Sequence, residues 1–178
     1  MRKLNNILAH AIIVIFLFHA LAGSLMMLGL SDLPFKNVSM ILLIVVVAHA
    51  ALGVIATVKA LISGKKSGKW YIKQNAAYWT KRFSGIAILI LLSFHIYAFT
   101  EVVGYSFFLK EFTLGNMIPQ LLMVAAIFIH LAVSVKSMLI ARGVVKFKER
   151  TVDWMMVLSL MMLFFTVSYV VYFIQWHI

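Results

Sequence analysis

Long apolar runs separated by short polar breaks make up nearly the whole chain. Five of these runs are long enough to cross about 30 Å of hydrocarbon as helices. They cover about residues 5–30, 38–62, 83–104, 117–141 and 153–176. The connections between them are too short to fold a soluble catalytic domain. The pattern predicts an all-α membrane protein, a bundle of five transmembrane helices that forms a single domain over residues 1–178.

Basic residues are distributed unevenly between the two sides of this predicted bundle. Fourteen of the sixteen Lys and Arg residues lie in the N-terminal segment and in the second and fourth connections. The first and third connections hold only Lys36 and Lys110, together with three acidic residues. The positive-inside rule therefore predicts a cytoplasmic N-terminus and an outside C-terminus in a multi-pass protein of the inner, or cytoplasmic, cell membrane. Loop lysines and anionic lipid account for the net charge of +11, so no nucleic-acid binding is predicted.

The amino-acid composition restricts which cofactors the chain can hold. A chain that is 64% hydrophobic is not a water-soluble globule, and without cysteine it holds neither an iron–sulfur cluster nor a covalently attached haem. Any redox cofactor is therefore held non-covalently, which is typical of an anchor or carrier subunit. The basic start and the small residues Ala20 and Ala22 also fit a signal peptide, but an apolar run that continues to Leu30 favours a retained span.

Four of the six histidines lie deep inside four successive predicted spans: His19, His49, His95 and His130. Ionisable residues at that depth are costly and are usually functional. One such histidine would indicate an interhelical hydrogen bond or a proton relay. One in each of four helices favours paired axial ligands of b-type haem.

Depth and an imperfect repeat predict how these histidines pair. His19 and His95 lie about 13 residues into helices that run outward, whereas His49 and His130 lie somewhat nearer the cytoplasmic ends of the helices that return. The segment Phe18-His19-Ala20 is similar to Phe94-His95-Ile96, and similar segments also follow His49 and His130. A repeated helix pair would bind one haem between the first and third helices and another between the second and fourth.

Other polar residues are secondary candidates. The haem propionates need cationic or hydroxyl partners, for which the cytoplasmic helix ends offer Arg82, Ser84, Lys59 and Lys136, although a lysine there can equally reach out to the interface. His10 lies on the face opposite His19 and is interpreted as an interfacial or quinone-site residue, or as an alternative ligand to His19. Acidic quinone-site candidates near the outer face are Asp32, Glu101 and Glu111, which can also be solvated loop acids.

The segment from Trp79 to Gly85, continuing to Phe94-His95, resembles the cytochrome b membrane anchors of succinate dehydrogenase and fumarate reductase. Those anchors carry an Arg-x-Ser/Thr-Gly turn about a dozen residues before a haem-ligating histidine. Five spans with one histidine in each of the first four are similar to the single-subunit, two-haem form of the anchor. The chain departs from it in its short length and in Phe128, where some relatives have a buried glutamate tied to proton movement.

The resemblance implies two b haems, an outer one held by His19 and His95 and an inner one held by His49 and His130. It also implies cytoplasmic flavoprotein and iron–sulfur subunits and a membrane quinone, commonly menaquinone, with this chain as a non-catalytic electron-transfer subunit. Three alternatives stay open. They are a two-haem anchor of another quinone-linked enzyme such as a hydrogenase, a small histidine-based transporter or metal-handling protein, and a scaffold without cofactor.

Overall fold

Five long α-helices and one short β-hairpin form the described part of a computed structural model of the chain, which covers residues 2–32, 36–67, 75–103, 106–143 and 151–178. The helices are α1 (Arg2–Met27), α2 (Lys36–Ser67), α3 (Ala76–Phe99), α4 (Leu114–Ala141) and α5 (Thr151–Gln175). The hairpin lies between α3 and α4 and consists of β1 (Thr100–Val103) and β2 (Ser106–Leu109).

Each helix is long and apolar enough to cross a membrane. A helix satisfies its backbone hydrogen bonds internally, which is the condition for crossing hydrocarbon as a single segment. The prediction of an all-α membrane protein with five spans is thereby confirmed. Which end of the chain lies on which side of the membrane stays a prediction.

The first helix ends three residues earlier than its apolar run predicts. Gly29 adopts a left-handed conformation with φ of +70°, which residues with a side chain rarely adopt. The amide of Leu30 then donates to the carbonyl of Leu25 at 2.8 Å and that of Gly29 to Met26 at 2.9 Å. These two bonds form a Schellman motif, which terminates the helix although apolar residues continue.

The third helix begins and ends earlier than its apolar run. The third span was expected over 83–104, but α3 begins at Ala76, because the aromatic and basic residues before Phe83 are already helical. It ends at Phe99, because the following residues pair in antiparallel register with the next strand, Thr100 opposite Leu109 and Val103 opposite Ser106. Threonine and valine favour strands, so an apolar run that reads as helix continues as a hairpin.

The helices cluster into two compact units, residues 1–82 and 83–178. In the first unit α1 packs closely against α2, and in the second α4 packs closely against α5. The sequence predicts a single domain, and that interpretation stays a prediction.

The second unit has a core of aromatic rings, which we call the aromatic cluster: Phe99, Phe112, Tyr169 and Tyr172. Phe112 is fully buried, stacks on Phe99 at 5.4 Å between ring centroids, and lies 5.1 Å from Tyr172. Phe112 comes from the segment between β2 and α4, so this contact fixes the connection to the helices. Near the end of α5, Tyr172 meets Trp176 edge to face at 6.3 Å.

Candidate functional site

The four membrane histidines are half-buried, and three of them make the same kind of contact. In each contact the ring nitrogen Nδ1 lies within hydrogen-bond distance of a polar side chain on a neighbouring helix. The pairs are His19 with Ser39 Oγ at 3.2 Å, His130 with Ser84 Oγ at 3.1 Å, and His95 with Gln120 Oε1 at 2.8 Å. A hydrogen bond at Nδ1 orients the ring and, where Nδ1 donates, leaves the lone pair on Nε2.

In the first unit, His19 and His49 lie at different depths. His19 meets Ser39 near the start of α2, whereas His49 lies ten residues further along that helix. Ten residues correspond to about 15 Å of helix rise. The His49 ring interacts there with the backbone of Asn5, at the beginning of α1. This unit therefore presents two histidines at two levels, one near each end of α1.

The second unit repeats this arrangement. Ser84 and His95 are eleven residues apart on α3, and their partners His130 and Gln120 are ten residues apart on α4 in the opposite direction. The two helices are thus antiparallel, and the two contacts are separated by about 15 Å along them. Both units therefore place their two histidines at two separate levels along a pair of helices.

A polar cluster surrounds His49 in the first unit, formed with Asn5, Gly53 and Arg82. Arg82 Nη1 donates to the carbonyl oxygen of Gly53 at 3.1 Å, and its guanidinium carbon lies 4.9 Å from the centre of the Tyr78 ring. A side chain at position 53 would not fit easily, because a Cβ there would lie 3.1 Å from Arg82 Nη1. The glycine therefore allows the arginine to approach the backbone of α2.

Three buried atoms of the polar cluster have no hydrogen-bond partner among the described residues. They are Asn5 Oδ1, His49 Nδ1 and Arg82 Nε. Leaving such atoms unpaired in a buried place costs about 1–3 kcal/mol each. A bound group that carries both a hydrogen-bond acceptor and a donor would recover that energy. The cluster is consequently suited to a polar or anionic part of a ligand.

The remaining predicted site residues are placed as follows. Ser84 is buried and its hydroxyl meets His130, so it has a partner other than the propionate expected from the sequence. Lys136 is half-buried on α4. His10 is half-buried on α1, where Nδ1 donates to the backbone oxygen of Asn6 in its own helix. Asp32 is exposed after α1, and Glu101 lies on β1, with a side chain outside the described part of the structure.

The sequence interpretation did not single out Ser39 and Gln120 as site residues, and it noticed Gly53 only as one of several small residues near the histidines. Ser39 and Gln120 are polar residues inside apolar spans, and that exception to the hydrophobic pattern is the signal that points to them. Gly53 lies four residues after His49 and gave a weaker signal, since small residues are common wherever membrane helices pack.

The described residues contain no group of three or more His, Asp or Glu side chains arranged to hold a metal ion by themselves. The histidines are instead arranged singly, each with an orienting neighbour or within the polar cluster. No protein-family model, curated protein or solved structure matches the chain. The residues described above are thus the whole basis for assigning a function.

Proposed function

We propose that the chain is the two-haem, b-type cytochrome membrane anchor of a succinate dehydrogenase or fumarate reductase complex. The observation that carries this proposal is the repeated Nδ1 contact of His19, His95 and His130 with side chains of neighbouring helices. Histidines that ligate a metal almost always engage the second ring nitrogen in such a hydrogen bond, which fixes the orientation of the ring.

The residues fit two haems held non-covalently. His19 and His95, each near the end of an odd-numbered helix, would hold the outer haem, and His49 and His130 would hold the inner one. Bound haem supplies one-electron transfer through its iron. Each unit presents two histidines at two levels along its helices, which supports assigning the four histidines as two ligands for each of two haems.

The polar cluster offers a place for the charged edge of the inner haem. Arg82 is always protonated, and its Nε is a buried donor without a partner among the described residues, so it is suited to bind a propionate carboxylate. Lys136 is the corresponding candidate on α4.

The proposed partners are a cytoplasmic flavoprotein and an iron–sulfur subunit, with membrane quinone, commonly menaquinone, as the second electron carrier. Exposed Lys65 and Lys66 at the end of α2 support a basic surface on the side proposed to face the cytoplasm. Quinone-site candidates remain His10, Asp32 and Glu101. The proposed location is the inner cell membrane.

The test is a reduced-minus-oxidised absorbance spectrum of the purified protein, together with a pyridine haemochrome assay. We expect about two b-type haems per chain, and one fewer after His19→Ala, His49→Ala, His95→Ala or His130→Ala. His177→Ala is the matched control, because His177 is exposed at the end of the chain and should not alter the haem content. A colourless protein, expressed with haem in good supply, would contradict the proposal and favour a histidine relay or metal-handling protein.

A further inference from the structure

Gln120 is one of two fully buried polar residues among the described residues of the second unit, the other being Ser168. The Gln120 side chain is fully buried, and its carbonyl oxygen Oε1 lies 2.8 Å from Nδ1 of His95. A buried glutamine in an apolar helix is costly unless its polar atoms are used. Here the carbonyl is used by the histidine, while the amide nitrogen Nε2 has no partner among the described residues.

The orientation of this amide determines the tautomer of His95. A carbonyl oxygen only accepts, so the contact requires that Nδ1 carries the proton and that Nε2 carries the lone pair. Turning the amide by half a rotation would place its NH2 group against Nδ1, which would then have to accept. The two amide orientations therefore select opposite histidine tautomers.

Aromatic rings pack against the pair. The Phe99 ring lies edge-on to the His95 ring at 5.3 Å and stacks on the fully buried Phe112. A hydrogen bond in such a low-dielectric place is stronger than one in water. Water is thus a poor substitute for Gln120 as the partner of Nδ1.

Gln120 differs in this respect from the serines beside the other histidines. A hydroxyl both donates and accepts, so Ser39 and Ser84 are compatible with either tautomer of His19 and His130. A carboxamide held with its oxygen toward the ring permits only one. Of these three contacts, the one at His95 is the one that fixes the position of the proton.

We propose that Gln120 is a positioning residue that holds His95 in the Nδ1–H tautomer and so directs a basic Nε2 toward its ligand. The tautomer follows from the Gln120 contact alone, whereas the identity of the ligand as haem iron rests on the proposed function. In that role Gln120 also makes the imidazole more electron-rich, because an Nδ1–H that donates strongly raises the basicity of the ligating nitrogen.

The tautomer is measured by solid-state ¹⁵N NMR on the full-length, histidine-labelled apoprotein in lipid bilayers. The His95 resonances are assigned by their loss in His95→Ala. We expect a protonated Nδ1 in the wild type and in Gln120→Glu, and appearance of the Nε2–H form in Gln120→Leu. Gln175→Leu, at an exposed glutamine that ends α5, should leave His95 unchanged, and the other histidine resonances report whether the variants fold. A wild-type Nε2–H tautomer, or no change in Gln120→Leu, would overturn the proposal.

A second measurement addresses the redox consequence in haem-loaded protein. Gln120→Leu removes the acceptor and should raise the midpoint potential of the haem held by His95, whereas Gln120→Glu should lower it, and the other haem should change little. Shifts of both variants in the same direction, or no shift, would overturn the redox part of the proposal. A protein that binds no haem contradicts the proposed function, but the NMR result on the apoprotein still decides the tautomer.

Discussion

The hydroxyl of Ser84 lies 3.1 Å from Nδ1 of His130, although the two residues are 46 positions apart in the chain. Ser84 is buried on α3, and the adjacent Gly85 also lies beside the imidazole, since a Cβ on it would be in van der Waals contact with His130 Cε1 at 3.4 Å. The Ser-Gly pair thus lies against the ring, and Ser84 provides its hydrogen bond. This contact gives a structural reason for the Arg-x-Ser-Gly segment, which the sequence offered only as a resemblance.

Replacing Ser84 with alanine should remove the hydrogen bond that orients the His130 ring. Interhelical hydrogen bonds in membrane proteins contribute about 0.6 kcal/mol on average, so we expect a small loss of thermal stability together with lower haem occupancy at one site. Ser93→Ala is the control, because Ser93 is exposed on the same helix and bonds its own backbone at Ile90. Haem titration of both variants tests this, and equal occupancy in the two would contradict it.

Gly53→Ala should disturb Arg82. The new methyl carbon would lie 3.1 Å from Nη1, so the guanidinium must move by a few tenths of an ångström, which offsets part of the roughly 0.5–1 kcal/mol that alanine contributes over glycine in a helix. Gly23→Ala is a matched control in α1, because no atom lies within 4 Å of its new Cβ and alanine favours the helix. Thermal unfolding in detergent should therefore show Gly53→Ala as less stable than Gly23→Ala. If Arg82 is responsible, the cost should shrink when Gly53→Ala is combined with Arg82→Ala.

Phe112→Ala should cost the most stability of the variants considered. The ring is fully buried between Phe99 and Tyr172, and removing such a side chain typically costs about 3 kcal/mol or more. Phe83→Ala removes a ring that is 67% exposed and should have little effect. Chemical denaturation of the two variants in the same detergent makes the comparison, and similar midpoints would show that the aromatic cluster is not a stabilising core.

His10→Ala and His19→Ala distinguish two candidate ligands on one helix. His10 donates to the backbone of its own helix, whereas His19 meets Ser39 on α2 in the same way as the other oriented histidines meet their partners. We therefore expect His10→Ala to keep two haems and His19→Ala to keep one. Haem stoichiometry by pyridine haemochrome is the measurement, and loss of a haem in His10→Ala with none in His19→Ala would reverse the assignment.

Hydrophobicity predicted the number of helices because crossing a membrane demands a long apolar run, and that demand is visible residue by residue. It failed at Gly29 and at Thr100, where local backbone preferences end a helix inside a run that is still apolar. Such endings depend on one glycine or on the partner strand, neither of which changes mean hydropathy. The orientation of the chain in the membrane is predicted by the distribution of charge alone.

The histidines could be found from the sequence, but most of their partners could not. Depth in a span singles out His95, yet nothing in the order of residues says that Gln120, 25 positions later, will lie opposite it. That depends on how far α4 is shifted along α3, which is set by side-chain packing and by the connection between them. Ser84 was noticed for its hydroxyl, and only the structure gives that hydroxyl a partner.

The contacts Ser84–His130 and His95–Gln120 join the same two antiparallel helices at points about 15 Å apart. A register in which the neighbouring residues of α4 took the places of Gln120 and His130 would direct different side chains, about 100° away around the helix, at α3, and would break both pairs at once. The two hydrogen bonds therefore fix the register of this helix pair at two points. A substitution that moved α4 along α3 at one of these contacts would therefore also displace the partners of the other contact.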